Sequence, residues 1–473
     1  MQKTGIKSLL GAVFGGMILL GCAGTTPNLG SIGKSGNYES SVKVGNYKKA
    51  LKELKSNQKD DLLWLMDAGL ISKYAKDHNA TIAFFDKAEE KIKQYDKEVL
   101  AGTMLANVGA VITNDTFMDY RPRIYEGIMV NTYKGMDFLN NGDKANARIE
   151  FNRALERQRR AKEFFKKEIS QEKKKIEKEE MAKIKKKKLD PKKVKNASKK
   201  KTKDAIEKRY SNLFAFKAYP DFVNPFSSYM AGLFFLSSGD YAKATDILKE
   251  TYGMIKDNEE ASSFVKSDLE YALKASSSIN MKNKKHYTWI VFANGEGPSK
   301  EELRFDIPLF LVTNKIYYTG IALPTFKERP SAYSHLIVKN GKNSIETKQV
   351  ASMDKIIKAE FQKRFPVVMT RAITRTVAQS LLQYQLRKRG GLIGGILGSV
   401  YQGFMNRADT RQWKTLPKNF QIARVPMDNP LVAINFPSSK KQLKFNLDVN
   451  KNHILFIRIP AKNSKEIVDE VSF

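Results

Sequence analysis

Residues Gly135–Ala154 read G-M-D-F-L-N-N-G-D-K-A-N-A-R-I-E-F-N-R-A, and residues Gly232–Leu248 read G-L-F-F-L-S-S-G-D-Y-A-K-A-T-D-I-L. Gly135, Gly142, Ala147, Phe151 and Ala154 in the first stretch superpose on Gly232, Gly239, Tyr241, Ala244 and Leu248 in the second, with the same spacings wherever positions are shared. Gly45, Tyr47, Ala50 and Leu54 repeat the second half once more, and Gly69, Phe85 and Ala88 form a looser copy. This small/large pattern predicts helical hairpins. Small residues at Gly135 and Ala147 let the two helices of a hairpin approach closely. Gly142 and Gly239 turn the chain. The N-G-D and S-G-D turns, Asn141 to Asp143 and Ser238 to Asp240, end one helix and cap the next. Aromatic residues such as Phe151 fill the seam with the following hairpin.

The spacing resembles the tetratricopeptide repeat of about 34 residues. The copies diverge and are not in tandem, so a short, imperfect solenoid is expected. An irregular helical array with coincidental Gly and Ala is the alternative reading. Stacks of such hairpins usually bind peptides or proteins, an analogy of fold that names no partner.

After Ser276 the pattern changes to period two with β-branched residues. Strands are expected at Thr288–Phe292, Leu303–Val312 with Pro308 inside, Lys315–Leu323, Ser334–Lys339, Ser344–Val350, Leu431–Phe436 and Ile454–Ile459. Asn340-Gly341 marks a hairpin turn. One segment interrupts them: Met353–Lys388 carries Ile357, Phe361, Phe365, Ile373, Val377, Leu381 and Tyr384 on one helical face, with Pro366 expected to kink it. The glycine-rich run Gly390–Val400 then separates it from a second helix ending near Arg407. That run reads either as close packing in the interior or as an exposed tip touching lipid or a partner. The fold class is therefore α+β. Tetratricopeptide-like hairpins over 37–276 precede a mainly antiparallel β domain over 277–473, a sandwich or open barrel, with a helical insert at 353–407.

Several segments occur in a fixed order: N-G-E-G-P-S-K-E-E-L-R at Asn294–Arg304, D-I-P-L at Asp306–Leu309, R-A-I-T-R from Arg371, A-D-T-R-Q-W-K-T-L-P at Ala408–Pro417, and I-A-R-V-P at Ile422–Pro426. Together they resemble a family of bacterial tetratricopeptide-like outer-membrane lipoproteins, whose members tend to be encoded near the LpoB-type activators of penicillin-binding proteins. The likeness covers most of the chain beyond the N-terminus, and the A-D-T-R-x-W-x-x-L-P run is its most specific piece. The family has no established activity, so the resemblance implies architecture and location. Asp409, Arg411 and Trp413 are expected to lock the helical insert onto the sheet, since Asp and Arg two apart can both bond nearby backbone and Trp buries a large area. A ligand site there is the other reading.

The N-terminus gives the location. Lys3 and Lys7 precede the apolar run Leu9–Leu20, which ends in Leu19-Leu20-Gly21-Cys22. A basic start, a short apolar core and a small residue before the cut make a secretory signal. Its close resembles the bacterial lipoprotein signal, which implies cleavage after residue 21, a diacylglycerol on the Cys22 sulfur and an acyl chain on its amine. The run is shorter than the roughly 20 residues a spanning helix needs. Two or more acyl chains anchor a protein stably, so attachment to the membrane through Cys22 is expected. Ala23 in place of Asp favours the outer membrane by resemblance to enterobacterial sorting. Residues 22–36, rich in Gly, Ser, Thr and Pro, read as a flexible tether. Cys22 is the single cysteine, so no internal disulfide is expected.

The chain carries 83 Lys and Arg against 50 Asp and Glu, a net charge of +33. About fifteen of these excess charges lie in 153–209. An over-long repeat helix, a basic tip at Lys185–Lys203 broken by Pro191, and a returning helix are expected there. The arm is either a solvated extension or an electrostatic attachment to peptidoglycan, lipopolysaccharide or an acidic protein. Nucleic acid is not an expected partner, because the signal exports the chain and the arm lacks aromatic residues for stacking on bases. The four histidines, His78, His286, His335 and His453, have no metal-ligand spacing. No HExxH, GxSxG or phosphate loop is present, so neither an enzyme nor a cofactor beyond the lipid is expected. The expected function is a periplasm-facing scaffold binding other envelope proteins through its hairpins, with an electrostatic tether through the basic arm as the alternative.

Overall fold

The computed structural model describes residues 38–103, 116, 118–180, 200–219, 222–257, 259–277, 285–308, 318–405 and 407–473. Cys22, the 22–36 segment and the arm residues 185–199 lie outside them.

The protein is α+β. Among the described residues ten α-helices come first: α1 (Tyr38–Lys43), α2 (Tyr47–Lys55), α3 (Leu62–Tyr74), α4 (His78–Ala101), α5 (Ile124–Asn140), α6 (Lys144–Lys175, continued by a π-helical turn at Ile176–Glu180), α7 (Lys200–Phe214), α8 (Pro225–Ser237), α9 (Tyr241–Ile255) and α10 (Ser262–Ser277). Four hairpins, α1–α2, α3–α4, α5–α6 and α8–α9, turn in one way. A left-handed residue (Gly45, Lys76, Gly142 or Gly239, φ 63–79°) precedes an Asx residue whose side chain caps the second helix. Asn46, Asp77, Asp143 and Asp240 accept from the N–H groups of Lys49, Ala80, Asn146 and Lys243. Lys76 occupies the position that glycine fills elsewhere.

The helices of three hairpins close on a glycine. A Cβ on Gly69 would sit 2.5 Å from Phe85, one on Gly135 3.1 Å from Phe151, and one on Gly232 2.8 Å from Leu248. The separation is the same sixteen residues each time (69 to 85, 135 to 151, 232 to 248). Ala50, Ala88, Ala147, Ala154 and Ala244 are fully buried at the same seams, while Tyr241 is half-buried. Phe151 also meets Phe234 of the next hairpin, ring centroids 5.1 Å apart.

Among the described residues eleven strands and one long helix follow: β1 (Tyr287–Asn294), β2 (Ser299–Pro308), β3 (Tyr318–Lys327), β4 (Ile337–Asn340), β5 (Asn343–Glu346), β6 (Lys348–Ser352), α11 (Met353–Met405), β7 (Asn419–Pro426), β8 (Leu431–Asn435), β9 (Gln442–Asn446), β10 (His453–Ile459) and β11 (Ile467–Ser472). They make a five-stranded sheet in the order β11-β10-β1-β7-β6, a four-stranded sheet β5-β4-β8-β9 and the ribbon β2-β3. Pairing is antiparallel except between β1 and β10. Asn340 pairs with Asn343 across the expected tight turn.

Period-two alternation sorts the five-stranded sheet into two faces. Trp289, Val291, Phe420, Ile422, Ile454 and Phe456 join the helical core. Ile290, Phe292, Ala423, Val425, Leu455 and Ile457 share a second core with Val338, Val432 and Ile434 of the four-stranded sheet. The result is three layers: helices, then one sheet, then the other. The first helices of the hairpins, α3, α5 and α8, form the row against the sheet and are buried almost all round, α8 along its whole length. Phe226 stacks on Phe420, and Asn140 donates to Asp469 at 2.9 Å. Residues 36–473 form one compact unit, whose core runs across the 276/277 boundary.

Three details differ from the sequence reading. The first ribbon strand begins at Ser299, four residues early, and its described part reaches Pro308; 309–312, expected to continue it, lie outside the described residues. Its leading residues Ser299–Glu302 are polar, Glu301 and Glu302 being exposed while Lys300 lines a cavity, so alternation gives no signal. Second, α11 is a single helix that runs through Pro366 and on through 390–400 to Met405, where two helices were expected. Glycine lowers helix propensity by about 1 kcal/mol per residue relative to Ala but forbids no helical geometry. Third, β7, β9 and β11 were not expected, and the single strand expected at Ser344–Val350 is divided between β5 and β6 of different sheets. β9 and β11 lie at sheet edges with alternating exposure, whereas β7 lies between β1 and β6, its apolar run broken by Gln421 and Arg424.

Candidate functional site

The arm is anchored. Its return helix α7 buries Ile206 and Tyr210 against Phe361, Phe365 and Met369 of α11 and Ile321 and Leu323 of β3. Tyr210 lies 4.3 Å from Phe365, centroid to centroid, and donates its hydroxyl to Pro324 O at 2.9 Å. Beneath this cluster α6, α11, the ribbon and the loop before α5 enclose a cavity of about 90 Å³.

Three segments singled out in the sequence meet on its wall. Asn294–Arg304 supplies Lys300, the R-A-I-T-R segment supplies Arg371 and Arg375, and A-D-T-R supplies Asp409 and Arg411. The loop before α5 adds Arg121 and Arg123, and α11 adds Glu360 and Arg364. Seven cationic side chains thus face four carboxylates, the others being Asp119 and Glu172. Leu323, Phe326, Phe361 and Val368 form an apolar flank.

Most of these charges are paired. Arg364 bonds Glu168 at 2.6 Å and Glu360 at 3.0 Å. Glu360 also accepts the N–H groups of Ile124 and Tyr125, so it closes the start of α5. Glu172 meets Arg121 at 2.5 Å and Arg371 at 3.7 Å. Burial alone would raise the Glu172 carboxyl, but Arg371, Arg121, Arg364 and Arg123 hold it at about 2. Arg411 grips Asp409 at 2.9 and 3.0 Å and donates to Met118 O at 2.7 Å.

Arg123 and Lys300 differ. Among the described residues neither forms an ion pair; Lys300 donates to Arg411 O at 3.1 Å. Burial, and then the charge of Arg123, pull the Lys300 amine down to about 8. A neighbouring open cleft of about 350 Å³ shares Met118, Asp119 and Arg121.

Trp413 does not sit between the insert and the sheet. Its ring lies in the helical layer, 6.1 Å from Phe85 and 6.2 Å from Tyr133. Its Nε1 donates to Thr415, whose hydroxyl donates to Asp67 of α3 at 2.8 Å. The motif therefore pins the loop after α11 to the hairpins. Arg411 and Asp409 face the cavity instead of joining Trp413.

The histidines stay apart: His78 pairs with Asp137, His335 with Glu346 and His453 with Glu470. No group of three or more His, Cys, Asp or Glu residues capable of holding a metal occurs among the described residues. Sequence reasoning missed Arg121, Arg123, Lys300, Glu360 and Arg364 as site residues. One signal was present: Glu360, Arg364, Arg371 and Arg375 fall at helical spacing along α11, a charged stripe beside its apolar face. The chain matches no protein-family model and no curated protein. No described helix is long and apolar enough to cross a membrane.

Proposed function

We propose that this protein is a lipid-anchored scaffold of the bacterial outer membrane, facing the periplasm, that holds other envelope proteins against its helical layer. It acts without catalysis, and its hairpins are divergent tetratricopeptide-like units. The lipoprotein-type signal ending at Cys22 supports the anchor. Four hairpins with one turn chemistry support the repeat reading, although Lys76 departs from the glycine of the other three. The observation that carries the binding reading is the coverage of α3, α5 and α8 by the chain's own sheet. The row of first helices, which a free solenoid offers to ligands, is taken. The second helices face outward, and Leu100 on α4 and Ile149 on α6 are exposed apolar residues there, as is Leu273 on α10. Labelled palmitate tests the anchor: wild type takes it up, Cys22→Ser does not. Chemical cross-linking in cells tests the scaffold, and recovery of the chain only as a lone monomer would sink it.

The second reading is an electrostatic tether to peptidoglycan or lipopolysaccharide. Lys173 and Lys174, exposed near the end of α6 within the basic arm, favour it. Such binding to purified sacculi weakens steeply with salt, since exposed charges are screened within about 8–10 Å at physiological strength. Salt-independent pelleting, or none, speaks against it.

A further inference from the structure

The cavity under the A-D-T-R loop is lined by two cations without an ion pair among the described residues, and no role in the scaffold reading uses it. Its seven cations face four carboxylates. Glu172, Glu360 and Asp409 are spent on Arg121, Arg371, Arg364 and Arg411. Arg123 and Lys300 stand on the same wall without an ion pair among the described residues. Two like charges held together beside an apolar flank repel each other in a medium that screens poorly. An anion between them removes that repulsion.

We propose that this cavity is a binding site for a phosphoryl group, held by Arg123 and Lys300 and framed by the paired arginines around it. Two adjoining cations, Arg123 and Lys300, suit a phosphate monoester dianion better than a single carboxylate. Guanidinium forks match phosphate oxygens, and lysine adds a point charge. The volume, about 90 Å³, admits a phosphate group; by the same measure one water takes about 10–15 Å³. An anion beside the Lys300 amine, which burial and Arg123 draw down to about 8, favours its charged form. The phosphoryl group could belong to a lipid headgroup or to a soluble phosphate ester. This inference does not depend on the scaffold reading: a chain with no protein partner would still bind phosphate.

The test uses the full chain in detergent at fixed ionic strength, with inorganic phosphate titrated against chloride by calorimetry. Saturable binding with one site is expected. Lys300→Met and Arg123→Gln each weaken it at least tenfold, and Lys300→Arg restores most of it. Should those variants fail to fold, crystals soaked in tungstate give the same answer: an anomalous peak within hydrogen-bond reach of Arg123 and Lys300 supports the site. Two further arms separate the sources. Vesicles of neutral lipid carrying phosphatidic acid that bind Cys22→Ser in a Lys300-dependent way identify a lipid headgroup, and glycerol phosphate binding without vesicle binding identifies a soluble ester. Absence of saturable phosphate binding overturns the proposal. So does binding that survives both variants, binding that disappears on deletion of 185–199, or a tungstate peak elsewhere only.

Discussion

Phe226 of α8 and Phe420 of β7 lie face to face, ring centroids 3.4 Å apart and planes within 4°. One residue belongs to the hairpins and the other to the five-stranded sheet, so their contact fuses two layers that the sequence assigns to separate domains. Truncating either to Ala should cost about 3–5 kcal/mol. The double variant should cost less than the sum of the singles, because the partner of each ring is already gone. Tryptophan fluorescence reports both halves, through Trp64 on α3 and Trp289 on β1. Its thermal transition should coincide with that of the helical circular dichroism, in wild type and variants alike. Two separated transitions would mean that the halves fold independently.

Glycine substitutions should divide sharply by position. Gly69→Ala places a methyl carbon 2.5 Å from the Phe85 ring, and Gly232→Ala one 2.8 Å from Leu248. Overpacking of this kind costs about 1–3 kcal/mol. Gly253, on the exposed side of α9, has nothing within 4 Å of an added Cβ. Gly253→Ala should therefore stabilise by about 0.5–1 kcal/mol, the helix-propensity gain. Denaturant titration of the three variants separates these signs, and a uniform loss across all three would contradict the close approach.

Asp67 should make stability depend on pH. It is buried on α3, where burial raises its carboxyl to about 7 against the pull of Thr415 and Lys414. Tyr38 also donates to it at 3.2 Å. A folded-state value above the unfolded value of 3.8 means that the neutral acid favours folding. That contribution is complete below pH about 4 and is lost as pH rises through about 7. Its ceiling is about 4 kcal/mol, at 1.36 kcal/mol per unit. Asp67→Asn cannot ionise, so the stability difference between variant and wild type should shift in the variant's favour between pH 5 and pH 8. A difference that stays constant with pH would remove Asp67 from this role.

The arm should contribute through its base and not through its tip. Residues 185–199 are lysine-rich and poor in apolar side chains, so they bury too little surface to offset ordering entropy of roughly 1–2 kcal/mol per residue. Replacing them with a short Gly-Ser linker should leave the melting temperature nearly unchanged. Tyr210→Ala should lower stability by several kcal/mol, since it empties a buried aromatic cluster and leaves Pro324 O without its donor. A large fall on removing the tip would show that it packs on the body.

The sequence made the hairpins legible because a glycine and a large residue recur at one spacing, and because the Gly-Asp turns carry their own chemistry. The turn at Lys76 was hidden, since lysine does not announce a left-handed backbone. The central strands β1, β8 and β10 were legible from their apolar runs, but β7, interrupted by Gln421 and Arg424, was not. The edge strands β9 and β11 were not, because half of each faces water. The three-layer arrangement left one trace that periodicity alone does not use. F-S-S-Y-M-A-G-L-F-F-L-S, Phe226–Ser237, is apolar or small all round, which signals burial on both sides of a helix. The cavity was the least legible feature. Arg123, Lys300, Arg364 and Arg411 come from four separate segments, and only the folded chain brings them together.

The central claim is that partners meet the outward second helices because the sheet seals the inner row. A photo-cross-linking amino acid placed in turn at Leu100, Ile149, Leu273 and Leu431 tests this most directly in living cells. The first three lie exposed on helices and the last on the outer sheet. Adducts with envelope proteins from the helical positions, and none from Leu431, are the result expected. Adducts from Leu431 alone, or from none of the four, would contradict the account.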